Sequence, residues 1–505
     1  MPTNQLVVSE LKTTHPLYKI NVNEWFFLMA SYEGARELVR QGYLRRNERE
    51  SIANYQRRLQ EAYGFSYSKS VIDLFNFYLF KKPVKRDMAG LTDDDLWNMF
   101  VRDCNLYGDN FDDFMTEQGR YASIYGHIGI LVDKANKIFE TRAEQVEAKV
   151  YPYVAPYFPP AILDWRYDRD ENNRPYLAYL KLLDDLEGDD LQYRVWYPDH
   201  FEVWEIPDTD EQTGKSVDDT AEGRLIMEEE NPLDEIPFVW LYNLRGKVRP
   251  IGVSDIHDVA RIDVSILRNL SHGEEVISYA AFPMMRKPMR EARPDGAKAD
   301  QADEAGVTAV LEFDPDHPES KPDWLEAKVQ QPIEAILGWI GRKVAEIYRA
   351  VNAGGMASME ISTAPKSGAA LKAEFQLLNS NLVRKATNLE QAEKKIIEYW
   401  ARWEGSEDAL EDISIERART YDVENLAADL DNVLTAKTIV MSRKFKDIMQ
   451  KNVARAMLPA ADENQLQEID DEIDAAPEPS LTPAPTGFTE EDEEEEELEE
   501  ETTTA

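Results

Sequence analysis

The chain has 505 residues, too many for one hydrophobic core, and its 43% apolar and 10% aromatic content is enough to build several folded units. Its net charge of −40 excludes a protein that grips DNA through its phosphates, because that needs clustered Lys and Arg. A single cysteine, Cys104, excludes an intrachain disulfide and a thiolate zinc site, and no apolar run is long enough to span a membrane.

The first residues, Met1-Pro2-Thr3-Asn4-Gln5, carry neither the basic nor the apolar region of a secretion signal, so an intracellular product is expected. The segment to Asp133 reads as mostly helical. A polar stretch, Asn47 to Arg58, precedes the dense apolar run Ser70 to Phe80, which predicts a buried helix ending before Lys82-Pro83. Leu96, Trp97, Phe100 and Val101 recur at helical spacing, and Ile128 to Asp133 reads as a short buried strand.

From Val150 to Asn243 the period changes. Tyr153, Tyr157 and Phe158 lie among prolines at 152, 156, 159 and 160. Strand-like runs follow at Tyr176–Leu182, Tyr193–Tyr197, Glu202–Ile206, Arg224–Met227 and Phe238–Tyr242, separated by acidic turns such as 208–215. This predicts an antiparallel, hairpin-built unit.

Beyond Gly252 the helices are long. Ser254 is placed to cap a helix, with Asp255 and Asp258 at the positive end of its dipole and apolar residues from Ile256 to Ala281 before Pro283. A polar interval to Glu326 holds one strand-like piece, Val307–Phe313. Pro332 then opens a helix whose stripe is Ile333, Ile336, Leu337, Ile340, Val344, Ile347, Tyr348 and Val351, stopped by Gly354-Gly355. After an aperiodic loop, Ser367 caps a third helix in which Phe375, Leu382, Leu389, Ile396 and Trp403 recur every seven residues. Two amphipathic helices, 423–439 and 442–457, follow. Residues 461–505 hold 19 acidic residues and no Lys or Arg, leaving −21 on residues 1–460, and are expected to be disordered. The fold class predicted is α+β.

Catalytic patterns are missing: no phosphate-binding glycine loop, no Gly-x-Ser-x-Gly, no His-Glu-x-x-His. His127, beside Gly126, reads as structural, donating a hydrogen bond near a turn. Cys104 reads as a small, partly buried residue, and Trp196, Tyr197 and Trp204 as packing residues rather than base-stacking ones. The histidines are scattered. No enzyme, no metal site and no cofactor is expected.

The order of these parts resembles the bacteriophage portal (head–tail connector) family. Local sequence agrees: Tyr55-Gln56-Arg57-Arg58-Leu59-Gln60-Glu61-Ala62-Tyr63 with the Val71–Phe80 run and Lys82-Pro83-Val84; Tyr125-Gly126-His127-Ile128-Gly129-Ile130-Leu131-Val132-Asp133; and Gly252-Val253-Ser254-Asp255-Ile256 leading to Arg268-Asn269-Leu270-Ser271. The resemblance covers residues 45–460 and leaves the acidic tail unassigned.

It implies a wing (1–251), a first stem helix (252–283), a clip (284–330), a second stem helix (331–353), a tunnel loop (354–367), a long wing or tunnel helix (368–404), crown-like helices (405–459) and an acidic tail (460–505). Implied too is a ring, twelve-fold in the family, at a single capsid vertex. DNA would pass through it without sequence specificity during packaging and ejection. Partners would be other copies of the chain, the large terminase subunit, head-completion or tail adaptor proteins, and capsid and scaffolding proteins, with no membrane. The location implied is the virion, after synthesis in the host cytoplasm. Met356, Met359, Ile361 and Lys366 would line the channel, and Arg286, Lys287, Arg290, Arg293 and Lys298 would dock the motor or adaptor. The alternative is an acidic head scaffold or adaptor that forms no channel, and a nuclease-like enzyme comes third.

Overall fold

Six of the helices among the described residues begin where a side-chain oxygen or ring nitrogen accepts from an otherwise orphan backbone N–H. A computed structural model describes residues 6–48, 50–184, 191–206, 223–281, 284–286, 323–325, 330–351, 368–410, 413–419, 421, 451 and 463–475. These fall in two units, Met1–Tyr421 and Asp422–Ala505.

In the first unit α1 is Val8–Lys12, α2 Pro16–Glu33, α3 Ala35–Arg40, α4 Ile52–Glu61 and α5 Tyr67–Phe80. His15 Nδ1 caps α2, accepting from the Leu17 N–H, and Ser66 Oγ caps α5, accepting from the Lys69 N–H. After strand β1 (Lys85–Asp87), Asp94 caps α6 (Asp95–Arg102) and Asn110 caps α7 (Phe111–Tyr125). The predicted amphipathic face of α6 buries Leu96, Trp97 and Phe100, but Val101 faces solvent. Cys104 lies just past α6 rather than in a helix and is fully buried.

Gly126 ends α7 at φ +94°, the left-handed region that favours glycine. A side chain on Gly252 would overlap the Gly126 carbonyl, so two glycines let these backbones touch. The chain then enters β2 (His127–Asp133), buried at every position. With β3 (Tyr153–Tyr157) and β9 (Phe238–Tyr242) it forms an antiparallel sheet in the order β3-β2-β9, and α8 (Arg142–Glu147) lies in the connection.

The second sheet is a five-stranded meander: β4 (Ile162–Arg169), β5 (Pro175–Asp184), β6 (Leu191–Trp196), β7 (His200–Ile206) and β8 (Arg224–Glu230). All five predicted runs are strands. β3 and β4 were hidden among the prolines. Pro156 is tolerated because β3 is an edge strand, and Pro159 and Pro160 occupy a single 3₁₀ turn between them. The acidic turn 208–215 lies outside the described residues. Trp196 is fully buried and stacks on Phe201 at 4.4 Å, and Trp204 is buried against α1, so both are packing residues. Lys181 Nζ donates to the carbonyls of Glu10 (2.9 Å) and Thr13 (2.5 Å), pinning the end of α1 to the sheet.

A two-residue ladder joins β10 (Leu244–Arg245) to β11 (Gly252–Val253) before α9 (Val259–Ala281). Strand β12 (Met284–Arg286) pairs with β13 (Asp323–Leu325), and α10 (Gln330–Ala350) follows. The strand-like piece at 307–313 lies outside the described residues. The third long helix, α11 (Gly368–Glu404), has 37 residues, about 55 Å at 1.5 Å per residue. Its Leu378, Leu382, Leu389 and Ile396 are buried as their spacing predicts, in a core that holds Trp97, Phe100 and Trp400. β14 (Ser414–Glu416) returns to pair with β1.

In the second unit the described residues are Lys451 and α12 (Glu463–Ala475), joined by an ion pair from Lys451 to Asp474 at 2.7 Å. Disorder was expected from residue 460, and α12 corrects that. Leu466, Ile469 and Ile473 share helical spacing, and Glu463 sits at its positive end. Nearly all of 423–439 and 442–457 lies outside the described residues. Among the described residues no helix is long and apolar enough to cross a membrane.

Candidate interaction surface

The geometry converges on the antiparallel hairpin of α9 and α10 and on the polar hub that holds its base. At the base, Ser254 Oγ accepts from the Ile256 N–H (3.1 Å) and caps only the turn before α9. Asp255 does not serve the helix dipole as expected. It forms a buried ion pair with Lys385 of α11, whose ammonium also lies 4.1 Å from the centre of the Phe75 ring. Burial pulls the Lys385 pKa down, and Asp255 opposes it. Asn243 ties in three more elements: its amide donates to the Val253 carbonyl and Asp255 Oδ1, its side-chain oxygen accepts from Ser123, and its carbonyl accepts from Asn388. Every polar atom of the hub that loses water gains a partner, which burial requires.

His127 lies beside this hub. Its Nδ1 accepts from the Gly252 N–H at 3.3 Å, the reverse of the expected donation. Burial lowers its pKa to about 3, so the ring is neutral and free to accept. Burial raises the Cys104 thiol far above its usual range. Neither residue is poised as a base or a nucleophile.

Further along, α9 is fastened on one side by charge-assisted bonds. Arg58 and Glu50 form a buried pair at 2.7 Å that also reaches Ser271, and the bond holds the Glu50 carboxyl below its usual pKa. Arg268 donates to the Tyr43 carbonyl, and Tyr63 donates to Glu274 at 2.7 Å. On the other side lies α10, whose main packing partner among the described residues is α9. Lys343 Nζ donates to Ser265 Oγ at 2.7 Å; Gly273 lies against Ile336; Met284 pairs with Leu325. These three points keep one antiparallel register from helix to ladder.

The apolar stripe predicted for α10 exists as a helix face and is mostly covered by its own chain, with Ile333, Ile336, Ile340, Val344 and Tyr348 half-buried, but its edge and its flank are left open. Ile347 and Val351 are buried, whereas Leu337 is 60% and Trp339 53% exposed, with Ile277 of α9 at 45%. Gly273, Gly338 and Gly341 interrupt the two helices, and a methyl group added at either of the last two would have nothing within 4 Å.

Of the residues expected to make contacts, Arg286 is in β12, its backbone opposite Asp323. Lys287, Arg290, Arg293, Lys298, Met356, Met359, Ile361 and Lys366 lie outside the described residues, as do Gly354, Gly355 and Ser367. Periodicity missed the hub, because Asp255, Lys385 and Asn243 lie on three separate elements.

No family model matches this chain, and no curated protein sequence does. Solved structures do resemble it. A chain of the virion of a native gene transfer agent particle is 10% identical, with 76% of this chain and 89% of that chain covered and a TM-score of 0.42. A chain from the neck of an empty particle of that kind, computed with C6 symmetry, is 12% identical, with 80% and 94% covered and a TM-score of 0.43. A third, from the neck of the native particle computed with C12 symmetry, is 11% identical, with 76% and 88% covered and a TM-score of 0.40.

Proposed function

We propose that this chain is a non-catalytic portal subunit, forming a ring at one capsid vertex through which double-stranded DNA is packaged and ejected. The observation that carries the reading is the α9–α10 hairpin. Two regular helices meet in one antiparallel register yet leave Ile277, Leu337 and Trp339 half-exposed. Covering the exposed part of each such side chain would contribute about 1 kcal/mol. In a ring, the face of one subunit meets a different face of the next, and closure by rotation covers every copy. The sequence resemblance to portals supports the same reading, because the hairpin occupies residues 259–350, where that family's stem and clip would fall.

Charge supports it as well. Copies carrying −40 each would surround a bore with negative potential, so DNA phosphates would find few deep minima and could slide. The segment between β12 and β13 would dock the terminase motor and later the adaptor, and the loop after α10 would line the channel.

Electron microscopy of the purified chain tests the ring directly. Annuli are expected from the wild type. Leu337→Glu with Trp339→Glu should abolish them while the circular dichroism and the unfolding midpoint of the dissociated subunit stay unchanged, since both side chains are largely exposed within the subunit. A wild type that stays monomeric at all concentrations, or a double variant that still forms annuli, overturns the proposal.

A further inference from the structure

The edge of the five-stranded sheet carries an arrangement that ring formation does not explain. In β7, His200 and Glu202 alternate onto one face, and the register sets Glu202 directly opposite Glu228 of β8. Like charges facing each other across a ladder destabilise it. The neighbouring pair shows the ordinary solution, because Glu205 faces Arg224 and forms an ion pair with it. Glu202 and Glu228 have no Lys or Arg partner among the described residues. Glu202 cannot relax into water either, since its side chain is only 9% exposed.

The groups are also held in place. Glu202 Oε2 accepts from the Trp204 indole N–H at 2.8 Å, whereas Oε1 points at His200 Nε2 from 3.6 Å, beyond hydrogen-bond distance. On its other nitrogen, His200 is bonded to Asp199 Oδ1 at 2.8 Å, and the ring stacks on Tyr197 at 4.6 Å. A carboxylate on Nδ1 keeps the proton there and turns the Nε2 lone pair toward the two glutamates, the orientation typical of metal-ligating histidines. One ligand atom from each of His200, Glu202 and Glu228 lies within 4.8 Å of the others.

We propose that His200, Glu202 and Glu228 bind a divalent transition-metal ion, with water completing the coordination, and that the ion staples β8 to β7. One imidazole nitrogen and two carboxylates suit Zn²⁺ or Mn²⁺ better than Mg²⁺, which prefers an all-oxygen octahedron and keeps its waters. β8 is exposed at nearly every position, so it gains little from apolar burial and most from such a staple. The sequence carried no expectation of a metal here. The signal was present in His200-x-Glu202, whose period of two puts both side chains on one face of a strand, but Glu228 joins them only through the hairpin register.

The test uses the full chain, stripped with a chelator and titrated with ZnCl₂ by calorimetry. The expected result is a single tight site per chain with a raised unfolding midpoint, since an ion that binds only the folded state stabilises it. Glu228→Gln, on an exposed strand, should weaken Zn²⁺ binding at least about tenfold with a metal-free midpoint equal to or above that of the wild type, since it removes the like-charge pair, and Asp199→Asn should weaken binding about 10–100-fold through lost orientation. Co²⁺ in place of Zn²⁺ should give visible absorption that Glu228→Gln removes, a readout that does not depend on stability. Unaltered Zn²⁺ affinity in Glu228→Gln, or binding lost only when residues 476–505 are deleted, overturns the site.

Discussion

The body of the first unit and the α9–α10 hairpin treat buried charge and apolar surface in opposite ways. In the body, ions taken out of water find partners within the same chain. Glu393, fully buried, binds Arg417 and Arg86; Arg194 bridges Asp133 and Asp184 between the two sheets; Asp255 meets Lys385. In α10, by contrast, the charged groups are mostly exposed, and Leu337 and Trp339 stay half-exposed beside a stripe that is otherwise covered. On the proposed reading, the contrast separates a region finished by folding from one that assembly would finish. Breaking the first should cost stability, and breaking the second should cost association.

The largest effect is expected where the body of the first unit is most self-contained. Asp255→Asn leaves Lys385 buried without its counter-ion and should destabilise the subunit by about 3–5 kcal/mol, read by urea unfolding. Asp255→Leu combined with Lys385→Met should recover most of that loss, because the cost lies in the unpaired charge rather than in the absence of a salt bridge. A loss in Asp255→Asn below about 1 kcal/mol would mean the hub is wetter than its burial shows, and the contrast with the hairpin would weaken.

A smaller effect sits at the joint between the two regions. Asp263, on the buried side of α9, accepts from the Ser68 N–H at 3.0 Å, and burial raises its pKa to about 6. Its folded pKa is above its unfolded value of 3.8, so its contribution is fully present below about pH 4 and is lost as pH rises through about 6. Over that window the shift corresponds to about 2–3 kcal/mol. Asp263→Asn keeps the acceptor and removes the titration. It should therefore raise stability at pH 7 by up to about 2 kcal/mol and leave it unchanged near pH 4. Parallel wild-type and variant profiles would show that Asp263 is not the source.

How much of this could be read from the sequence follows the same division. Period and spacing located the long helices because each buries a stripe against its own chain: Leu382, Leu389 and Ile396 of α11 are buried as expected, and the runs predicted as strands fall in strands. The stripe of α10 was equally legible and is mostly buried too, but that Leu337 within it and Trp339 beside it stay exposed was not, since a pattern shows that a face wants cover and not how far the chain covers it. The hub was illegible, because Asn243, Asp255 and Lys385 are brought together by tertiary folding alone. Strands β3 and β4 were lost to a local signal, proline, that an edge position overrides. His127 was placed correctly as structural, yet its role as acceptor required knowing that Gly252 approaches closely enough to donate.

The smallest expected effect tests the hairpin at its glycines. Within an isolated helix, glycine costs about 0.8–1.0 kcal/mol relative to alanine, so a helix that keeps Gly338 and Gly341 forgoes stability. Nothing among the described residues explains either one, as a methyl group at each would meet none of them within 4 Å. The body of the first unit behaves differently: Gly129 abuts Phe238 and Gly252 abuts Gly126, so there the chain itself demands glycine. If a neighbouring copy approaches the α10 backbone at these positions, Gly341→Ala should raise the stability of the dissociated subunit by up to about 1 kcal/mol and lower that of the ring. Unfolding of dissociated subunits in urea measures the first, and the salt concentration at which annuli disperse measures the second. A variant stabilised in both states would show that no backbone approaches there, and the exposed faces of Leu337 and Trp339 would then have to carry the association alone.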